Sequence, residues 1–164
     1  MNKVFVFDLD DTLMINVHDY AELFDPSRYA NNIHPEAFRL IWFLQNQRDV
    51  PMLMSNGDKR VQSNKFSALR AGDNFVRVRI VANKTPDTFR EMVKGFEGYS
   101  PYSVGNDYEK DIVPALEAGF KGVFIPVETW EVIGRMDEIL AKVDRSRCLV
   151  LNNLGELKER YVEL

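Results

Sequence analysis

The sequence predicts an α/β fold in three layers, a mainly parallel sheet of about six strands with helices on both faces. Three observations predict it. Short runs rich in β-branched and aromatic residues alternate along the chain with amphipathic stretches at helical spacing. Several of those stretches stop at a glycine, a common way for a helix to end. The first apolar run opens directly into carboxylates, as a buried strand does when it delivers polar residues beyond its carboxyl end.

The elements follow in order. Lys3-Val-Phe-Val-Phe-Asp8 is the first strand. The segment 14–33, polar and aromatic with His18, Tyr20, Phe24 and Tyr29, has no clear period and is expected to form a small flap or short lid. Pro35 to Gln47 places Ala37, Leu40, Ile41 and Leu44 on one helical stripe, with Pro35 suited to a first turn. Val50 to Ser55 is the second strand, Lys59 to Ala71 a helix stopped by Gly72, and Val76 to Val81 the third strand. Thr85 to Lys94 and Glu109 to Ala118 read as helices closed by Gly95 and Gly119, flanking the strand Tyr102 to Gly105. Lys121 to Ile125, Trp130 to Val143, Arg147 to Leu151 and Leu154 to Tyr161 complete a strand, helix, strand, helix series. Parallel strands joined by helical crossovers make this a Rossmann-like pattern, and ligands in such sheets bind past the strand ends.

At 164 residues, with 45% hydrophobic and 28% charged positions, the chain is expected to form a single domain over 1–164. Such a length buries roughly 70% of its unfolded surface, so neither disulfides nor a structural metal is required. The single Cys148 cannot form an internal bridge and suggests a reducing compartment. The balance of 21 basic and 25 acidic residues, net -4, argues against a nucleic-acid binder acting by bulk charge. The longest apolar run, Leu40 to Leu44, is far below the ~20 residues a bilayer demands. Lys3 is followed only by Val4 to Phe7 before carboxylates, which is no secretion signal, and a cytoplasmic location is expected.

The chemistry gathers at the strand ends. Asp8 and Asp10, two residues apart on an extended chain, project to the same side while Leu9 packs away. Carboxylates held that close repel unless a proton or cation sits between them, and a hard ion such as Mg2+ suits oxygen ligands. A Ca2+ loop fits less well, because Leu13 stands where its glycine belongs and Asp19 where its glutamate belongs. Ser55-Asn56-Gly57 offers a hydroxyl and turn amides to phosphoryl oxygens. Lys84 supplies a cation at the start of a helix. Gly105-Asn106-Asp107-Tyr-Glu-Lys-Asp111 adds a further cluster of oxygen ligands. Alone, each piece has an ordinary reading as a cap, a solvated lysine or dipole-favouring acids; together, in this order and at these places, they describe a site.

With these residues in hand, the sequence resembles the haloacid dehalogenase (HAD) superfamily. Its four motifs match Asp8-Leu-Asp-Asp-Thr-Leu13, Ser55-Asn-Gly57, Lys84 and Gly105-Asn-Asp-Tyr-Glu-Lys-Asp111, and the similarity runs over nearly the whole chain. The resemblance implies an aspartyl-phosphate formed on Asp8, with Asp10 as general acid and base. It implies phosphoryl binding by Ser55, Asn56 and Lys84, and Mg2+ held by Asp8, Asp10, Asn106 and Asp111, with Asp107 as second choice. Dehalogenases of the superfamily lack the second aspartate, so Asp10 favours phosphoryl transfer.

One departure matters: Asn106 stands where the family pattern has an aspartate, and one negative charge fewer weakens a Mg2+ site. The gaps between Thr12 and Ser55 and between Gly57 and Lys84 hold no full cap domain. The site is expected to be open, closed at most by the 14–33 flap or a neighbouring subunit of a homo-oligomer. The implied activity is a phosphatase acting on a phosphorylated substrate, a small molecule before a macromolecule, with neither membrane nor nucleic acid as partner. The alternatives are a non-catalytic phosphate-binding module with a weakened metal site, and a phosphotransferase. The 59–94 stretch, with nine basic and three acidic residues, reads as solvated helix faces plus Arg77 and Arg79 guarding an edge strand. Trp42/Phe43 and Phe5/Phe7 read as core, and neither His18 nor His34 has a motif partner.

Overall fold

Six parallel strands form one sheet in the order β3-β2-β1-β4-β5-β6, as seen in a computed structural model that describes residues 1–15 and 29–164. The strands are β1 (Lys3–Phe7), β2 (Val50–Asn56), β3 (Arg77–Val81), β4 (Ser100–Gly105), β5 (Lys121–Phe124) and β6 (Cys148–Val150). β1 lies in the middle, and the strand order reverses beside it: chain growth runs outward through β2 and β3, then returns to β4 on its other side. The crevice at that reversal is where a doubly wound sheet presents its ligand site.

Alternation along the strands builds two cores. Phe5 and Phe7 point to one face, where they meet Tyr102, Val104, Leu53 and helix α1 (Ala37–Asn46) through Leu40, Ile41 and Leu44. Val4, Val6, Met52 and Met54 point to the other, against Phe89 and Met92 of α4 (Pro86–Met92) and Ala115 of α5 (Val113–Glu117). A third cluster on that side packs Phe124 and Cys148 against Ile139 of α6 (Met136–Lys142). Each face thus carries helices, and both strand pairs next to β1 are apolar on both sides, as a covered parallel sheet requires.

Several expectations change. The helix expected over Lys59 to Ala71 ends earlier, as α2 (Lys59–Ala68), because Arg70 takes a left-handed conformation (φ 51°). A short α3 (Ala71–Asn74) then follows, so Gly72 lies inside a helix and stops nothing. Gly95 and Gly119, both at φ 94°, do end helical segments. The stretch expected to be helical from Trp130 is loop until Met136, and the final helix shortens to α7 (Glu156–Glu159). The Glu109 to Ala118 helix begins as a wider π-helical turn, Tyr108–Ile112. Trp42 is not core: it is 68% exposed, off the Ala37-Leu40-Ile41-Leu44 stripe, whereas Phe43 is half-buried and meets Tyr161 edge-on. Met14 pairs with Ile33 in an isolated bridge, which closes the base of the expected flap; residues 16–28, including His18, lie outside the described residues. His34 accepts a hydrogen bond from the Glu36 amide.

β3 is an edge strand, as its arginines suggested. Arg77 donates to the carbonyls of Glu91, Met92 and Lys94 and so satisfies the C-terminal end of α4, while Arg79 pairs with Glu91.

Candidate active site

The site is assembled from the carboxyl ends of β1, β2 and β4. After Phe7 the chain leaves the sheet through Asp8, buries Leu9 completely, and turns sharply: the amides of Thr12, Leu13 and Met14 all donate to the Leu9 carbonyl. The left-handed conformation of Asp11 (φ 58°) allows this turn. Asp8 and Asp10 consequently line one cavity of about 190 Å³, together with Ser55, Asn56, Asn106 and Asp111. Every residue predicted for the site except Lys84 lines that cavity.

Lys84 sits at its floor. Its side chain, 3% exposed, donates from Nζ to Asp8 Oδ1 and, at 2.6 Å, to Asp111 Oδ1. A buried ammonium is stable only with partners, and two carboxylates provide them. Their attraction holds the Lys84 amine well above its ordinary range despite burial. Burial acts oppositely on Asp8: desolvation first, then the Asp111 and Asp10 charges, push its carboxyl up to about 7 against the pull of Lys84.

Asp111 is held on both oxygens. Oδ1 takes Lys84, Oδ2 accepts the Asp107 amide at 3.0 Å, and Ser103 Oγ donates to the Asp111 carbonyl at 2.8 Å. The π-helical turn places it there, while Asp107 caps that turn by accepting from the Glu109 and Lys110 amides. Gly105 is required opposite: a Cβ at that position would overlap the Asp111 carboxyl group.

Lys65, which falls in the basic stretch read as solvated helix faces, and Gln62, which the sequence reading did not single out, belong to the site. Lys65, on α2, is 3% exposed and donates to Asp10 Oδ1 at 2.7 Å. Gln62, one turn earlier, donates to Asp10 Oδ2 at 3.1 Å and to the Asn56 carbonyl at 3.3 Å. Gly57 (φ 135°) leaves room for this amide, since a Cβ there would lie 2.9 Å from Gln62 Nε2. The overlooked signal was a helix whose sheet-facing positions, Gln62 and Lys65, are polar. Thr12 was also overlooked; its hydroxyl lies 3.4 Å from both Asp8 Oδ2 and Asn106 Oδ1.

Asp8 Oδ2 and Asn106 Oδ1, a carboxyl and an amide oxygen, thus both lie beside the Thr12 hydroxyl, and oxygen donors of these kinds suit a small divalent cation. Among the described residues no three or more His, Cys, Asp or Glu side chains are grouped so that they could hold a metal ion. The side chains explain this: Asp10 is turned to Lys65, Asp111 to Lys84, and Asn106 adds no carboxylate.

The architecture has solved counterparts. A D,D-heptose 1,7-bisphosphate phosphatase from B. bronchiseptica, solved with magnesium and phosphate, superposes with TM-score 0.72 at 14% identity, covering 98% of each chain. The L-2-haloacid dehalogenase of Xanthobacter autotrophicus gives 0.68 at 16% identity over the whole of both chains. A haloacid dehalogenase-like family hydrolase from Xanthomonas campestris gives 0.67 at 15% identity, covering 99% of this chain and 95% of its own. The chain has the haloacid dehalogenase fold. No protein-family model and no curated protein matches the sequence. Within the haloacid dehalogenase fold the site lies where the strand order reverses, between β1 and its neighbours β2 and β4. Among the described residues no helix is long and apolar enough to cross a membrane.

Proposed function

We propose that this protein is a Mg2+-dependent phosphomonoesterase working through an aspartyl-phosphate on Asp8. The observation that carries the reading is the placement of Lys84, whose buried ammonium is shared by Asp8 and Asp111 beneath a cavity lined by Ser55 and Asn56. A nucleophilic carboxylate, a cation to offset phosphoryl charge and a hydroxyl with a turn amide for phosphoryl oxygens stand together there.

Asp8 attacks phosphorus through one carboxylate oxygen, forming the acyl phosphate as the bond to the leaving oxygen breaks. Asp10 gives that oxygen its proton. In the second half Asp10, now ionised, takes a proton from water as the water attacks phosphorus, which releases phosphate and regenerates Asp8. Lys65 and Gln62 hold the Asp10 side chain in place through its two carboxyl oxygens. Asp8, the Asp10 carbonyl and Asn106 would hold Mg2+, with Asp111 and Asp107 beside them. When bound, Mg2+ supplies positive charge that offsets repulsion between the Asp8 carboxylate and an anionic substrate. Asp10 distinguishes this reading from dehalogenation, and the substrate is a small phosphorylated molecule handled by a single catalytic domain without a full cap.

The test is hydrolysis of a generic aryl phosphate, then of a broad phosphate panel, with Mg2+ or with chelator, beside Asp8→Asn. Mg2+-dependent turnover confined to the wild type is expected; no turnover above the variant on any ester overturns the reading.

A further inference from the structure

We infer that the ester this site accepts carries a leaving group with a flat face and no negative charge, seated against Trp130. The inference rests on the phosphatase reading and concerns the wall of the cavity opposite the phosphoryl floor. That wall is the loop between β5 and α6, which contributes Thr129, Trp130, Glu131 and Val132 to the lining.

The loop is built, not loose. The Val132 amide donates to the Thr129 carbonyl at 3.1 Å, and the Gly134 amide to Glu128 Oε1 at 3.3 Å. Val132 packs on the cluster of Tyr108 and Ile112, and Glu131 pairs with Lys110. Trp130 is therefore presented on an anchored turn, yet it is 71% exposed. A large amphipathic ring held at the mouth of a polar cavity offers a stacking surface, and burying it against a ligand face is favourable.

Charge narrows the ligand further. Beyond the floor the lining carries the carboxylates of Asp107 and Glu131 against one ammonium, that of Lys110. That ammonium already pairs with Asp107 at 3.2 Å and with Glu131. Among the described lining residues no other cation is present to receive a second anion. A leaving group with its own carboxylate or phosphate would meet the net negative charge of these described lining residues, whereas a neutral or cationic ring would not.

The experiment compares kcat/KM of wild type, Trp130→Ala and Glu131→Gln on phenyl phosphate, 4-carboxyphenyl phosphate and methyl phosphate. Taking the variant to wild-type ratio for each ester cancels intrinsic leaving-group reactivity. Trp130→Ala is expected to lose about fivefold on phenyl phosphate with little change on methyl phosphate, at unaltered melting temperature. Wild type is expected to favour phenyl over carboxyphenyl phosphate, and Glu131→Gln to narrow that gap. Turnover with equal ratios on phenyl and methyl phosphate, or a preference for the carboxylated ester, overturns this inference alone. Absence of turnover on every ester overturns the phosphatase reading and the inference with it.

Discussion

Lys84 and Asp111 meet at 2.6 Å beneath the cavity, two side chains from opposite ends of the β3-to-β4 half of the sheet, and Asp8 shares the same ammonium. This triad explains why the end of β4 is Gly105 and why Asp111 sits on a π-helical turn: both bring its carboxylate to the floor.

Replacing Gly105 by Ala tests that packing. A Cβ would collide with the Asp111 carboxyl and displace it from Lys84, at a cost of about 2 kcal/mol. A fall in melting temperature of about 6 °C is expected. An unchanged melting temperature would mean that the two groups do not press on each other.

The metal-free protein should show a pH dependence traceable to Asp8. Burial and Asp111 push its carboxyl up from 3.8 to about 7, so between those values the fold keeps a proton that the unfolded chain has released. This group's contribution to stability therefore falls as pH rises through that window, and the penalty is complete above about 7. Asp8→Asn lacks the titration. With chelator present, its stability relative to wild type should rise from pH 5 to pH 8 by about 2 kcal/mol. A constant or shrinking difference in thermal denaturation contradicts this.

Asn106 bears on metal affinity. Its Oδ1 and Asp8 Oδ2 both lie 3.4 Å from the Thr12 hydroxyl, and exchanging the amide for a carboxylate adds a charge at that point. Asn106→Asp should lower the Mg2+ concentration needed for half-maximal activity by about tenfold. An unchanged Mg2+ response removes Asn106 from the metal site.

Lys65 tests whether Asp10 is held in position. Lys65→Met removes the 2.7 Å ion pair while keeping chain length. A fall in kcat of about 10- to 100-fold is expected with KM nearly constant, partly restored by Lys65→Arg. Loss through KM alone, or no rescue by arginine, would make Lys65 a packing residue only.

Much of the architecture could be read from residues. All six strand candidates are strands; a strand covered on both faces must be continuously apolar, and Val4 to Phe7 meets that condition without ambiguity. Asp8 and Asp10 could be paired from their spacing alone. What could not be read depended on tertiary partners. Lys65 is an ordinary helix residue until Asp10 is placed above it, and Arg70 breaks its helix through a left-handed conformation that no glycine announced. Trp130 resembles a helix start, but the eleven-residue loop after β5 places it at the cavity mouth instead. The burial of Trp42 was misjudged because an unbroken apolar run hides helical periodicity; its neighbours Leu40, Ile41 and Leu44 occupy the inward stripe.

The central claim is that Asp8 carries the phosphoryl group. Its most direct test is mass spectrometry of the peptide containing Asp8, taken from enzyme quenched in acid during turnover of an aryl phosphate with Mg2+. A phosphoryl group on Asp8 in wild type, absent from Asp8→Asn and from enzyme treated with chelator, is the result predicted. Steady turnover with no phosphorylated Asp8, or turnover that persists in Asp8→Asn, would contradict it.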